Sequence, residues 1–321
     1  MFVNSCNTLN EYFIHSKIGE GNLSTIYEAI HKQDGVKRAI KVMDFGKFCS
    51  FDSEFYAEVE KQIALLNRIS DGEHTNIVHY YRISHFEHQV IIEMQYVNGI
   101  NLNDFINKNK HFVEIREVIN LLTDIASALK FLHYDICYLC NNEINQSIVY
   151  SSIKANEFVL HNDIHTLNIL REVSGKYILI DLDFAIEGNP TDYEKQNFID
   201  LRGMSWFKAP EKWRKVGNIS TQSDIYSFGM VIYWFLTGEP PFLSNNYDVP
   251  YEKILESLDD VPVSIFNLRK RNFERNFPNK TYVKDYPIWL VELVVKCLKI
   301  DPNERFKDGN ELYQFIMSHK V

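Results

Sequence analysis

Cysteine is sparse in this chain, glycine and proline are few, and no apolar run is long. The 321 residues hold five cysteines, thirteen glycines and nine prolines. Five scattered thiols (Cys6, Cys49, Cys137, Cys140 and Cys297) do not make a disulfide framework, which points to a reducing compartment. Cys137 and Cys140 form one CxxC with His133 just upstream, but a zinc site needs a second pair at ligand spacing, and the sequence has none. The longest apolar run, around Phe228 to Leu236, is too short to span a bilayer. The opening MFVNSCNTLN has no basic stretch followed by an apolar one, so it reads as no secretory signal. Positive charge is not in excess: 34 Lys and Arg face 43 Asp and Glu, a net charge of -9, which implies no general nucleic-acid face. We therefore expect a soluble, cytoplasmic protein with no direct membrane insertion and no nucleic-acid partner.

Apolar material is plentiful. Hydrophobic residues make up 45% and aromatics 14%, enough for a large core and too much for a disordered chain. The first third carries short β-type runs at Tyr12–Ile18, Thr25–Ile30, Arg38–Met43 and Val90–Val97. One helical pattern interrupts them, with apolar residues at 55, 59, 63 and 66. The rest reads as helix. Val118, Leu121, Leu122, Ile125, Leu129 and Leu132 form one stripe, Ile225 to Leu236 is apolar on every side, and Leu290 to Leu298 stops at Asp301-Pro302. A small sheet-rich part before a larger helical part predicts an α+β, two-lobed molecule with a cleft. We expect a tail over 1–11, a first lobe over 12–97 and a second over 98–321, with an insertion near 137–157.

Two clusters carry the chemistry. Gly19-Glu20-Gly21, followed by Ser24 and Ile26, lies between two strand-like runs, where glycines let backbone N–H groups approach phosphates. Ala39-Ile40-Lys41-Val42 follows, and a lysine inside an apolar strand requires an anion. Further on come His161-Asn162-Asp163-Ile164-His165-Thr166-Leu167-Asn168 and then Ile178-Leu179-Ile180-Asp181-Leu182-Asp183. An apolar strand that ends in Asp181 delivers a carboxylate to its tip. An Asp and an Asn five apart in a tight loop can hold a hydroxyl and a metal together. A nearby stretch, Ile148 to Leu160, imitates this loop with Ser152 at the key position, but it lies too far from Asp181 and is read as part of the insertion.

These clusters, in this order and spacing, resemble the Gly-rich loop, strand lysine, catalytic loop and metal-binding Asp of eukaryotic-type protein kinases. Ala209-Pro210-Glu211, Ser223 to Gly229 and Cys297 to Arg305 resemble three further motifs of that family. The resemblance implies the two-lobed kinase fold, ATP and Mg²⁺ as cofactors, and a protein substrate phosphorylated on Ser or Thr. Lys41 would hold the α- and β-phosphates, Asp163 would take the acceptor's proton, and Asn168 and Asp181 would hold Mg²⁺. His165 stands where the family has a lysine that touches the γ-phosphate, and it joins the catalytic set. Ile18, Gly19, Glu20, Gly21, Ser24, Ile26, Ala39 and Leu170 would surround the nucleotide. Gln95, Tyr96 and Val97 would form the hinge against adenine, behind Met94. Glu211 and Arg305 would form a buried ion pair, and Asp224 would brace the catalytic loop.

Some positions depart from the family. Gln62 falls where the family has the glutamate that pairs with the strand lysine, and Glu58, one turn earlier, is the carboxylate we expect to serve Lys41 instead. Asn162 replaces an Arg that, in the family, pairs with a phosphorylated loop, which implies little dependence on loop phosphorylation. Met204 and Asp183 replace a Thr and a Gly. The HxDxHxxN form is also similar to aminoglycoside and choline phosphotransferases. Two alternatives to an active protein kinase therefore stand, a pseudokinase scaffold and a small-molecule phosphotransferase. Arg269, Lys270, Arg271, Arg275 and Lys280 make a basic segment, read as a solvated loop or a docking site for an acidic partner.

Overall fold

The computed structural model describes residues 7–21, 24–45, 53–86, 88–109, 113–137, 158–188, 207–214, 219–238 and 287–320. The insertion beyond Cys137, Met204 and the basic segment 269–280 lie outside them. The chain divides into two compact units, Met1–Asn98 and Gly99–Val321.

The first unit is an antiparallel sheet with one long helix. After a short turn of helix, α1 (Asn7–Asn10), come β1 (Tyr12–Glu20), β2 (Ser24–His31) and β3 (Lys37–Asp44). Then follow α2 (Ser53–Asp71), β4 (Tyr80–Phe86) and β5 (Gln89–Gln95). The strands lie in the order β1-β2-β3-β5-β4. Alternation along β2, β3 and β5 sends Ala29, Ile40 and Ile91 into one core with Tyr12. On α2, Leu65, Leu66 and Ile69 are buried, as their helical spacing requires. A chain of charges lies beside the Tyr12 core on the same face of the sheet. Arg82 grips Glu11 with both terminal nitrogens, at 2.7 and 3.4 Å, and its Nε lies 3.3 Å from buried Glu93, which Arg38 approaches at 3.5 Å.

The second unit is mainly helical. It opens with β6 (Gly99–Asn101), α3 (Leu102–Lys108) and α4 (Ile115–Lys130), and a π-helical turn over Phe131–Asp135 continues α4. Small strands follow: β7 (Val159–Leu160), β8 (Ile169–Glu172), β9 (Tyr177–Leu179) and β10 (Ile186–Glu187). The described helices that remain are α5 (Pro210–Arg214), α6 (Thr221–Thr237), α7 (Ile288–Cys297) and α8 (Gly309–His319). Every α6 residue except Gln222 is buried. A capping box of Ser220 and Ser223 starts it, and Gly238, at φ +72°, ends it with a left-handed residue. Gly229 lies on its face against α7, where a Cβ would come within 2.6 Å of the Cys297 Cβ. Fully burying each Leu, Ile, Val or Phe of this helix contributes about 1.5–3 kcal/mol. No described helix is long and apolar enough to cross a membrane.

Candidate active site

In the first unit, β1 and β2 form a hairpin whose tip is the Gly-rich segment. Gly21 N–H donates to the Ser24 carbonyl at 2.8 Å and closes the turn. A side chain at Gly21 would press on Ser24 Oγ at 3.0 Å, and one at Gly19 would meet Ile26 at 3.3 Å. Glycine at both positions leaves the Gly19 and Gly21 N–H groups without a side chain of their own, which suits an approaching phosphate. Ile18 is exposed, Ile26 is half-buried, and Glu20 pairs with Lys17 at 2.6 Å on the surface.

Lys41 sits mid-strand in β3, between Ile26 of β2 and Ile92 of β5, and only 4% of it is exposed. Ala39, two residues earlier and so on the same face, is opposite Met94 of β5. Gln95 anchors the end of β5: its N–H donates to the His79 carbonyl at 2.8 Å, and its side-chain oxygen accepts from His79 N–H at 3.4 Å. Tyr96 and Val97 follow, half-buried.

Glu58 corrects one expectation. Its carboxylate pairs with Lys61 at 3.2 Å and its side chain is 69% exposed, so it faces solvent and not Lys41. Gln62, one turn on, is half-buried. The two positions are about 40° apart around the helix, enough here to separate the outward face from the inward one.

In the second unit, the loop 161–168 is pinned along its length. Asp224 at the start of α6, 1% exposed, accepts N–H groups from His161 at 2.7 Å and Asn162 at 2.9 Å. His133 Nε2 lies 3.1 Å from the same carboxylate. Burial alone would push the Asp224 carboxyl up. The hydrogen bond from His133 and the nearby positive charge of Lys212 instead hold it below the usual carboxylate range. The brace expected of Asp224 is thus present as geometry. His161 accepts Asp163 N–H at Nδ1 and reaches the Ile180 carbonyl with Nε2 at 3.1 Å. Burial lowers its pKa and keeps the ring neutral, with its proton on Nε2.

Asp163 is held by one oxygen. Asn168 Nδ2 donates to its Oδ2 at 3.2 Å and to its main-chain carbonyl at 3.0 Å, and His165 Nε2 lies 3.4 Å from the same Oδ2. Oδ1 has no protein partner among the described residues. His165 Nδ1 accepts Leu167 N–H at 3.2 Å, so its proton also sits on Nε2, toward Asp163. Asn168 spends its amide N–H₂ on Asp163, which leaves its Oδ1 available for a cation.

The segment carrying Asp181 runs beside this loop. Ile180 N–H donates to the Asn168 carbonyl at 2.9 Å, and β10 pairs with β7 on the other side of the loop. Leu170 lies on β8 opposite Ile178 of β9. Asp181 adopts φ +65° and Asn162 φ +67°, left-handed conformations that Asp and Asn tolerate better than most residues. Such strain clusters at functional sites, and both residues fall in the stretch picked out by motif. Oxygen donors of the Asn168 and Asp181 type suit Mg²⁺.

The ion pair expected of Glu211 and Arg305 is present. It is two-pronged, at 2.8 and 2.9 Å, and fully buried on the Arg side, with Ser223 donating to the same carboxylate at 2.7 Å. One residue escaped the sequence reading. Lys212, next to Glu211, is buried and donates to the Asn162 carbonyl at 2.9 Å.

A family profile described as the protein kinase domain matches residues 12–320. The chain belongs to the protein kinase family. Its relatives include a probable serine/threonine-protein kinase of Clostridium acetobutylicum, 26% identical over 97% of this chain and 40% of that one. Another is a probable serine/threonine-protein kinase of Lactococcus lactis, 25% identical over 94% of this chain and 41% of that one. A third is serine/threonine-protein kinase 33 of Mus musculus, 25% identical over 77% of this chain and 46% of that one. This kinase-family chain therefore spans less than half the length of these relatives. The sheet-rich first unit and helical second unit are those of the α+β kinase fold.

Proposed function

We propose that this chain is an active protein kinase that transfers the γ-phosphate of ATP to a Ser or Thr hydroxyl of a protein. The observation that carries the reading is the state of Asp163. One carboxylate oxygen is fixed by Asn168 and faces His165, and the other, without a protein partner among the described residues, would accept a hydroxyl proton. The names of the relatives favour Ser and Thr over other acceptors.

The glycines at 19 and 21 and the buried side chain of Lys41 would suit a triphosphate. Asn168 and Asp181 would hold Mg²⁺, which when bound supplies charge neutralisation at the phosphates. Lys41 would hold the α- and β-phosphates. Asp163 Oδ1 would orient the acceptor oxygen and take its proton. Ala39, Met94, Gln95 and Val97 on the first unit, and Leu170 on the second, would contact the base. Gln62, half-buried on the inward face of α2, would replace the usual glutamate as a neutral neighbour of the phosphate-binding lysine. The basic segment 269–280 would be a solvated loop or, in the sharper alternative, a docking site for an acidic partner, in which case charge reversal there should weaken partner binding while nucleotide binding stays unchanged.

Incubation with labelled ATP and Mg²⁺, wild type beside Asp163→Asn, tests the reading. Label transfer to the chain or to casein by wild type, lost in the variant, supports it. No transfer by either, with Mg·ATP still raising the melting temperature, makes the chain a scaffold. Transfer to an aminoglycoside or choline but to no protein makes it a small-molecule kinase.

A further inference from the structure

Lys212 is an unusual residue to bury. Only 9% of it is exposed, yet its ammonium faces the catalytic loop and not solvent. A buried ammonium is costly unless it is paired and hydrogen-bonded. Its Nζ donates to the Asn162 carbonyl at 2.9 Å, on the peptide that joins Asn162 to Asp163.

Asn162 is where that bond matters. Three of its polar groups are engaged by different segments: its N–H by Asp224 at 2.9 Å, its carbonyl by Lys212, and its side-chain N–H₂ by the Phe184 carbonyl at 3.3 Å. Its backbone is held at φ +67°, which costs energy and persists only when the surroundings over-determine it. The Lys212 bond fixes the far side of the peptide whose rotation would swing Asp163. Nearby, Asp224 is a buried carboxylate whose charge Lys212 helps to balance.

We propose that Lys212 is a positioning residue for phosphoryl transfer: a built-in cation that clamps the Asn162–Asp163 peptide and so aims the Asp163 carboxylate. The inference rests on the kinase reading of Asp163. It supplies a contact between α5 and the catalytic loop that needs no modified residue. Lys212 bonds to the loop carbonyl beside Asp163, so it would act on the turnover step through Asp163 and not on ATP binding.

The test uses the full chain with Lys212→Met, which keeps the length and removes the charge, and Lys212→Arg, which restores a donor. Lys212→Met should lower kcat on casein roughly ten- to hundredfold with the KM for ATP changed less than about threefold. Lys212→Arg should recover at least about a third of the wild-type kcat. Amide hydrogen exchange should quicken over 161–167 in Lys212→Met and stay unchanged over α6. Unchanged kcat and exchange in Lys212→Met overturn the proposal, as does a loss expressed as a raised KM for ATP or one that Lys212→Arg fails to restore. Exchange that quickens equally over α6 also overturns it, because the lysine would then merely stabilise the fold. Should wild type itself transfer no phosphate, the kinase reading fails. The exchange comparison then still decides whether Lys212 clamps the loop.

Discussion

Nε2 of His165 and Oδ2 of Asp163 face each other at 3.4 Å, with the opposite imidazole nitrogen already occupied by Leu167 N–H. His165 therefore presents a proton donor to the carboxylate that Asn168 also holds. At the family's lysine position, this chain has a residue aimed at the proposed base. Replacing His165 with Leu should reduce kcat about tenfold or more, with the KM for ATP altered less than about threefold. Steady-state kinetics with ATP as the varied substrate checks this. A raised KM with kcat intact would mean that His165 acts on the nucleotide instead.

Asn162 gives a second prediction. Its amide, and not a phosphate-seeking guanidinium, ties the catalytic loop to Phe184. Phosphatase treatment should leave wild-type kcat within about twofold, because the tie needs no added phosphate. Asn162→Ala removes the tie and puts a Cβ-bearing residue with no side-chain compensation at φ +67°, at a cost of about 1–3 kcal/mol. Asn162→Gly removes the tie alone. The Ala variant should melt below the Gly variant, and both should be slower than wild type.

Reading the sequence succeeded where a signal is local. The runs at Thr25–Ile30 and Arg38–Met43 became β2 and β3, and the all-apolar Ile225–Leu236 became the buried α6, because period and composition are properties of neighbours in the chain. β4 went unpredicted because Tyr80–Phe86 mixes Arg, Ser and His among its apolar residues, and its pairing with β5 supplies the order. Glu58 was misjudged because two positions one turn apart look equivalent by spacing, while the packing of α2 leaves Glu58 exposed and Gln62 half-buried. Lys212 was invisible. In a Lys-Trp-Arg-Lys run it reads as surface charge, and only the fold brings it to a carbonyl fifty positions away.

The Glu211–Arg305 pair sets a pH-dependent part of stability. Burial would raise the Glu211 carboxyl, but Arg305 and Ser223 outweigh it, and the folded-state pKa lies below the ordinary value of 4.5. A depressed carboxylate pKa contributes stability that is full above the unfolded-state value and fades as pH falls through the folded one. Glu211→Ala strands a buried guanidinium and should cost about 3–5 kcal/mol at pH 7. The gap between wild type and Glu211→Ala in denaturant melts should narrow below about pH 4.5. A gap that stays constant from pH 7 to pH 3 would remove the ionised pair as its cause.

Gly309 ties the end of the chain to the same brace. Its N–H donates to His133 Nδ1 at 3.1 Å, and the other ring nitrogen of His133 meets Asp224 at 3.1 Å. The first turn of α8 thus fixes which His133 nitrogen carries the proton that Asp224 receives. The approach allows no side chain, since a Cβ at Gly309 would fall 2.2 Å from the Leu129 carbonyl carbon and 2.4 Å from Lys130 N. Both are backbone atoms of α4 and cannot rotate away. Gly309→Ala should push α8 off α4, break the His133 contact and cost about 3 kcal/mol or more. His133→Leu keeps the packing volume but leaves Asp224 a donor short. It should cost less stability and still slow turnover, because the loop loses its support while the helices stay seated. Melting temperature and kcat measured on the two variants together separate these effects, and equal melting losses with equal rates would show that the link from Gly309 through His133 to Asp224 carries no more than packing.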